Sequence, residues 1–280
     1  MTAFKKIAIL SMVRNNEVFA AKWIQYYGAQ FGFQNVYLFL DGLDQKRPKL
    51  SEQINCYQLP HSHYKRSKGD RKRAQILSNF ATQLFDSYDV VLATDIDEFL
   101  VLDPLLNSNL KNYLSQEFKG SSLSALGIDV GQHPELEQAV NWDQPLLSQR
   151  AYAQISDRYT KPVVALKPLQ WGSGLHRVKG KNFKIDPHLF LFHFGLVDFD
   201  HTQNHIRNSE LLKRGWATHF KRRIQLYEVI KTQKPQEADL SFTALRNYFS
   251  EKRKWYAYNK PAVYKGNALI KIPERFKALV

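Results

Sequence analysis

The chain has 280 residues, of which 44% are hydrophobic and 24% are charged, a composition typical of a globular protein rather than a disordered one. Its 40 lysines and arginines exceed its 26 acidic residues, and the resulting net charge of +14 favours anionic partners such as nucleotides, nucleic acid or acidic lipid headgroups. The single cysteine, Cys56, excludes an internal disulfide and a cysteine-based zinc site.

Strand and helix patterns alternate through about the first hundred residues. Short apolar runs predict strands, and apolar side chains at helical spacing predict helices. The predicted strands cover residues 7–12, 35–40, 54–59 and 88–92, and the predicted helices cover residues 17–31 and 71–85. This alternation predicts a Rossmann-like, mostly parallel α/β sheet flanked by helices, with ligands at the carboxyl ends of its strands.

The pattern changes in the second half of the chain. Further strands are predicted at residues 123–128, 163–166 and 189–194, and the residues after about 205 are basic and helical in pattern. We therefore expect a domain of residues 1–204 and a C-terminal helical extension of residues 205–280 packed on it. An apolar stripe along the extension suits either this packing or contact with an anionic membrane; its members are Leu211, Trp216, Phe220, Ile224, Tyr227 and Ile230.

Two aspartates follow the strand predicted at residues 88–92. Asp95 and Asp97 would share one side of an extended chain, where their carboxylates repel each other unless a divalent cation lies between them. A cation held by two or three protein ligands keeps positions open for a diphosphate and stabilises a departing nucleoside diphosphate. A pair of solvated turn residues is the simpler interpretation, but the apolar residues 99–102 that follow make it less suitable. The motif thus predicts a Mn²⁺ or Mg²⁺ site.

Four segments in this order resemble a known enzyme family: Met-Val-Arg-Asn at 12–15, Trp-Ile at 23–24, Val-Tyr-Leu-Phe-Leu-Asp-Gly at 36–42 and Asp-Ile-Asp-Glu-Phe at 95–99. The set resembles the family-2-like glycosyltransferases of the GT-A fold and is most similar to the branch related to glycosyltransferase family 92. The resemblance covers the first hundred residues well and the middle of the chain loosely. The chain departs from the family at Asn16, where the family usually has Glu.

The resemblance implies a nucleotide-sugar site formed by loops at one edge of the sheet. It assigns these residues to the base, the ribose, the phosphates (Arg14) or the metal: Ser11, Val13, Arg14, Asn15, Asp41, Asp95 and Ile96. It makes Asp97 a direct metal ligand, whereas Glu98 is expected to order the loop by bonding backbone. Asp41 precedes Gly42, so a turn-forming role is an equal alternative for it.

The basic run of residues 65–73 precedes a predicted helix, and helix N-termini favour anions. We expect Arg71, with Arg66 and Lys68, to contact the donor diphosphate, because the planar guanidinium of arginine engages phosphate oxygens in pairs. The alternative is a solvated loop, which is the usual role of a charge run.

Three further segments supply candidates. The resemblance implies a third metal ligand late in the domain, and His193, at the end of an apolar strand, suits that role better than its competitor His176. Trp171, Gly172 and His176 are assigned to the acceptor or the donor sugar, with a core-anchoring tryptophan as the alternative. An inverting enzyme would need a base, for which the candidates are Asp129, His176 and Asp198, whereas a retaining one would not.

These features together predict a metal-dependent glycosyltransferase that moves a sugar from a UDP- or GDP-linked donor to a glycan or lipid-linked acceptor, as in the biosynthesis of surface polysaccharides. The alternatives are a nucleic-acid-binding protein or metal nuclease, which the charge suits, and a non-catalytic sugar-binding relative. The aromatic residues sit mostly in apolar runs, so we expect no nucleic-acid partner.

The first apolar run is too short for a signal peptide, and no run approaches the length of a membrane span. We therefore expect a cytoplasmic protein with a peripheral contact on the inner face of the membrane.

Overall fold

The computed structural model describes residues 4–181, 183–206 and 217–280. Ten strands form one sheet: β1 (Ile7–Val13), β2 (Val36–Asp41), β3 (Asn55–Leu59), β4 (Val90–Ala93), β5 (Glu98–Leu102), β6 (Ser122–Gly131), β7 (Tyr152–Ile155), β8 (Lys161–Ala165), β9 (Ile185–Leu196) and β10 (Leu269–Lys271). The helices of the described residues are α1 (Glu17–Phe31), α2 (Arg66–Leu84), α3 (Leu110–Leu114), α4 (Phe199–Ile206), α5 (Ala217–Thr232) and α6 (Ala238–Glu251).

The strands follow the order β3-β2-β1-β4-β8-β6-β7-β10, and β9 lies between β6 and β5. Strands β3, β2, β1 and β4 pair in parallel, and β6 and β9 also pair in parallel. Strand β8 is antiparallel to both of its neighbours, β4 and β6. Strand β7 is antiparallel to β6 and to β10, and β5 is antiparallel to β9. Parallel pairing thus dominates in the first hundred residues and antiparallel pairing in the rest.

The central strand β1 is buried along its whole length because a helix covers each face of the sheet. Ile7 and Ile9 pack with the buried side chains of α1, whereas Ala8 and Leu10 pack with those of α2. This burial on both faces explains why the strand is an apolar run without polar alternation. The prediction of an α/β sheet flanked by helices is confirmed.

Two elements differ from the predicted ones. Helix α2 begins at Arg66 rather than at residue 71, so most of the basic run is helical and is not a solvated loop. The apolar residues after the Asp-x-Asp motif form a further strand, β5, which pairs with β9. The start of α2 determines which of its basic side chains face the sheet, and the pairing of β5 with β9 determines which residues of β5 lie opposite those of β9.

The last part of the chain completes the sheet as well as adding helices. Tyr227 and Ile230 of α5 are buried against β9 and β10, and β10 itself pairs with β7. These members of the apolar stripe therefore pack on the domain. Leu211, Trp216 and the side chain of Phe220 lie outside the described residues. None of the described helices is long and apolar enough to cross a membrane.

Candidate active site at the carboxyl edge of the sheet

The Asp-x-Asp motif lies in a turn at the carboxyl end of β4, beside the carboxyl ends of β1 and β2. The backbone N–H of Glu98 donates to the carbonyl of Asp95 (3.1 Å), which closes the turn. The prediction that Asp95 and Asp97 share one side of an extended chain is therefore wrong. The two carboxylates meet different partners.

Asp95 is held by two cations. One carboxylate oxygen pairs with the guanidinium of Arg73, and the other accepts from Lys161 Nζ at 2.7 Å. Burial alone raises the pKa of Asp95, but Arg73 and Lys161 outweigh it and hold that pKa well below its usual range. Both oxygens are engaged, so Asp95 is a fixed anchor between α2 and β8 and not a free metal ligand.

Lys161 links this anchor to Glu98. Its ammonium lies 2.6 Å from Glu98 Oε1, and both side chains are almost fully buried. Glu98 Oε2 also accepts from the backbone N–H of Asp95 (3.2 Å), so the expectation that Glu98 orders the loop through backbone is confirmed. Burial raises the pKa of Glu98, and the nearby Lys161 opposes that rise.

Asp97 lies beside His193, and Asp129 lies behind it. The strands β5 and β6 flank β9, and both Glu98 and Asp129 stand opposite His193 in the register. Asp97 Oδ2 is 3.3 Å from His193 Nε2, and Asp129 Oδ1 is 2.6 Å from His193 Nδ1. The ring of Tyr159 stacks on the imidazole at 3.7 Å between centroids. Burial lowers the pKa of His193, but Asp97 and Asp129 outweigh it and raise the pKa to about 9.

The Asp97–His193 pair would fit two positions of a divalent cation in the form of His193 that carries no proton on Nε2, since a histidine binds a metal through a neutral nitrogen. Metal–ligand bonds of about 2.1 Å at a right angle separate neighbouring ligand atoms by about 3 Å, close to the observed 3.3 Å. Asp129 fixes the imidazole from behind, as carboxylates commonly do for metal-binding histidines. No larger group of His, Cys, Asp or Glu side chains is arranged for a metal ion within the described residues. The protein would thus supply two ligands and leave the other positions open.

The turn after β1 is held by residues of the next loop. Arg14 makes a bidentate pair with Asp44, with both distances at 2.9 Å, and also donates to the carbonyl of Asp41 (2.6 Å). Asn15 has a φ of +53°, and its backbone N–H donates to Gln45 Oε1 (2.7 Å). These contacts shape the turn but leave Arg14 partly neutralised by Asp44.

The remaining predicted nucleotide contacts differ in their accessibility. Ser11 is fully buried and its hydroxyl donates to the carbonyl of Thr94 (2.8 Å), so this side chain links β1 to the segment after β4 and is not exposed to a ligand. Val13 and Ile96 are also buried. Asp41 is half-buried and lies 3.0 Å from His61 Nδ1.

The three candidate bases have different surroundings. Asp198 caps α4 and accepts from the backbone N–H groups of Val140 (2.8 Å) and His201 (2.7 Å), which makes it a structural residue rather than a base. Burial, with Lys161 nearby, lowers the pKa of His176 to about 3, far from the range that suits general-base catalysis. Asp129 is engaged by His193.

The predicted sugar and diphosphate contacts lie along a cleft beside α2. Lys68, Arg71 and Gly172 line it. Arg66 instead lies 3.7 Å from Asp70 on another side of the helix. Trp171 is 1% exposed and donates from its indole to the carbonyl of Pro162 (2.7 Å), so it anchors its segment and offers no exposed ring face to a sugar.

Two cations at the site, Arg73 and Lys161, were not predicted. Arg73 lies four residues before the buried Leu77, a spacing that turns it inward once the helix begins at Arg66. Lys161 directly precedes an apolar run and carries no local signal of its pairing with Asp95.

Comparison with known proteins adds no relative: no model of a known protein family matches the chain, and no curated protein matches it.

Proposed function

We propose that this protein is a metal-dependent glycosyltransferase of the GT-A fold that transfers a sugar from a UDP- or GDP-linked donor to a glycan or lipid-linked acceptor. The observation that carries the proposal is the Asp97–His193 pair, backed by Asp129 at the carboxyl edge of the sheet. Further support comes from the parallel order β3-β2-β1-β4 followed by the antiparallel β8, since ligands of open α/β sheets bind at that edge.

The roles of the residues follow from their contacts. Asp97 and His193 would hold Mn²⁺ or Mg²⁺, which supplies positive charge to the diphosphate leaving group. Asp129 orients the imidazole of His193 through Nδ1. Arg73 and Lys161 fix Asp95, and with it the turn that carries Asp97. A site that is fixed in advance in this way does not have to reorganise when charge develops on the donor.

Thermal unfolding with nucleotides tests the proposal. UDP or GDP with MnCl₂ should raise the melting temperature of the wild-type protein by mass action, and the Asp97→Asn variant should lose that rise. Asp86→Asn, an exposed change of equal charge, is the matched control and should behave as wild type. If no nucleoside diphosphate stabilises the protein with metal, the proposal fails.

Two further measurements separate the alternatives. Stabilisation by DNA or RNA in place of nucleotides would favour a nucleic-acid-binding protein or nuclease. Metal-dependent hydrolysis of a nucleotide-sugar, screened over a panel of donors, would distinguish an enzyme from a non-catalytic sugar-binding relative. Hydrolysis that Asp97→Asn abolishes would support the proposed role of the metal.

A peripheral contact with an anionic membrane is part of the proposal. The segment of residues 252–258 supports it, because Trp255 is 88% exposed and Tyr256 is 60% exposed, with Lys252 and Lys254 beside them. Aromatic rings and lysines together suit the interface of a membrane. We propose the cytoplasm as the compartment, in keeping with the free thiol of Cys56.

A further inference from the structure

A cleft of about 620 Å³ lies between the first half of α2 and the segment of residues 170–179. Its lining includes five cations and, among the described residues that form it, no acidic side chain: Lys68, Arg71, Lys72, Arg177 and Lys179. Five positive charges around one cavity produce a local field that attracts anions. The cleft is therefore a candidate anion-binding site.

Helix α2 presents this cleft and the Asp95 anchor on different faces. Lys68, Arg71 and Lys72 follow a spacing of three and four residues and form one stripe. Arg66, with its partner Asp70, shares another stripe with Arg73, which pairs with Asp95. At 100° per residue the two stripes lie on opposite sides of the helix. The cleft is thus separate from the motif at which the donor diphosphate is proposed to bind.

The opposite wall is a pair of short antiparallel stretches. The backbone N–H of Gly172 donates to the carbonyl of Arg177 (2.8 Å), and that of Lys179 donates to the carbonyl of Gln170 (2.9 Å). Side chains alternate between the two faces of such a pair. Trp171 is therefore buried toward the core, while Arg177 and Lys179 are exposed on the side of the cleft.

The core holds this wall in place. The side chain of Trp171 is almost fully buried, and its backbone N–H donates to Ser78 Oγ of α2 (2.9 Å). The loop and the helix are thereby fixed to each other, and the cations of both walls face one space. A wall whose backbone is fixed in advance loses little loop freedom when a ligand binds.

The five cations have no carboxylate within salt-bridge distance among the described residues, in contrast to Arg73, Arg66 and Lys161. Two of the five are arginines, whose planar groups bind phosphate oxygens in pairs. Their mutual repulsion falls when a ligand with several negative charges enters. A phosphate-bearing ligand meets both requirements.

We infer that this cleft binds a phosphate-bearing part of the acceptor, at a site distinct from the donor diphosphate. The identification of the ligand as the acceptor rests on the glycosyltransferase function proposed above, whereas the affinity for phosphate rests on the cleft alone.

Calorimetric titration with inorganic pyrophosphate, in EDTA and at low salt, tests the site. The variant Arg177→Gln/Lys179→Gln should bind pyrophosphate about 10- to 100-fold more weakly, because charge-assisted hydrogen bonds are lost. The variant Lys49→Gln/Lys119→Gln removes the same two charges from exposed positions outside the lining and should leave the affinity nearly unchanged. Equal losses in both variants, or no loss in either, would overturn the inference.

Further binding measurements identify the kind of molecule that carries the phosphate. A hexose 1-phosphate should bind the wild type and not the Arg177→Gln/Lys179→Gln variant, and the unphosphorylated hexose should bind neither. The Arg177→Gln/Lys179→Gln variant is also compared with the wild type for binding to vesicles that contain phosphatidylglycerol. If the variant loses vesicle binding but still binds pyrophosphate and the hexose 1-phosphate as the wild type does, the inference is wrong and these residues contact a lipid surface.

UDP with MnCl₂ separates this inference from the proposed function. Unchanged binding of UDP with metal in the Arg177→Gln/Lys179→Gln variant supports a second site, whereas a parallel loss would make the cleft the donor site and overturn the inference. If UDP and GDP fail to bind the wild type while pyrophosphate binding still depends on Arg177 and Lys179, the phosphate site stands. Its assignment to an acceptor then falls with the proposed function.

Discussion

At the scale of single residues, two histidines of the site differ in their neighbours. His193 lies between Asp97 and Asp129, whereas His176 lies near Lys161 and bonds the carbonyl of Arg158 (3.0 Å). Only His193 therefore has the carboxylate partners that a metal-binding imidazole needs.

We predict that Asp129→Asn weakens the Mn²⁺ affinity of the protein about 10- to 100-fold, because Asp129 orients His193 without binding the metal. His193→Ala should lower the affinity further, and His176→Ala should change it little. Mn²⁺ titration in the presence of UDP measures all three. A larger effect of His176→Ala than of His193→Ala would move the metal site to the other histidine.

A second residue-scale prediction concerns the buried Lys161. Lys161→Met leaves Glu98 and Asp95 with one cation fewer in a buried setting and should lower the free energy of unfolding by about 3–5 kcal/mol. The double variant Lys161→Met/Glu98→Gln should be more stable than Lys161→Met alone, because the uncompensated carboxylate is gone. Denaturant unfolding of both gives the comparison, and equal stability would contradict the role assigned to Lys161.

Sequence reasoning located part of this site and missed the rest for a physical reason. Asp97 follows the apolar run that forms β4, and His193 lies near the end of the apolar run that forms β9, so a location near the carboxyl ends of these strands was readable from local pattern. Lys161 is 66 residues from Asp95, and its pairing depends on β8 lying beside β4. No local pattern in the sequence predicts that β8 lies beside β4. No local pattern predicts the turn that directs the side chains of Asp95 and Asp97 apart either.

At the scale of elements, the sequence predicted α1 well because its apolar side chains repeat at helical spacing. The first turn of α2 lacks apolar side chains, so the observed start at Arg66 had no periodic signal. That shift explains why Arg73, which pairs with Asp95, was not singled out within the basic run. Which side chains of a helix face the sheet depends on how the helix packs in the folded chain, and the local sequence does not determine that packing.

The approach of β6 to the segment of residues 159–161 gives an element-scale prediction. A Cβ on Gly127 would overlap the backbone of Tyr159 and Thr160, which cannot rotate away. Gly127→Ala should therefore lower the free energy of unfolding by about 1–3 kcal/mol and displace the strand that carries Lys161. The measurement is denaturant unfolding, with Mn²⁺ titration as a second readout.

Gly69→Ala is the matched control for this substitution. Gly69 lies inside α2, and the nearest atom to its Cβ would be Tyr64 Cβ at 3.8 Å, an ordinary contact. Alanine is the better helix former by about 0.5–1 kcal/mol, so Gly69→Ala should be neutral or stabilising. If Gly127→Ala behaves in the same way, the close approach of β6 to residues 159–161 does not constrain the site.

At the scale of the whole molecule, the net charge of +14 is expressed on the described surface at the cleft beside α2 and at the segment of residues 252–258, among other places. The second combines lysines with exposed rings, and Lys254 Nζ lies 5.6 Å from the centre of the Tyr256 ring. Apolar side chains that stay exposed next to basic ones suit the boundary of a membrane.

We predict that the protein binds vesicles containing phosphatidylglycerol, that Trp255→Ser weakens this binding about tenfold, and that each of Lys252→Gln and Lys254→Gln weakens it about fivefold. Rising salt should weaken the binding through the lysines, because exposed charges are screened. Co-sedimentation measures it, with Leu240→Ser as the control, since Leu240 is 74% exposed on α6. Equal binding to uncharged phosphatidylcholine vesicles, or an equal loss with Leu240→Ser, would mean that general hydrophobic adsorption and not this segment makes the contact.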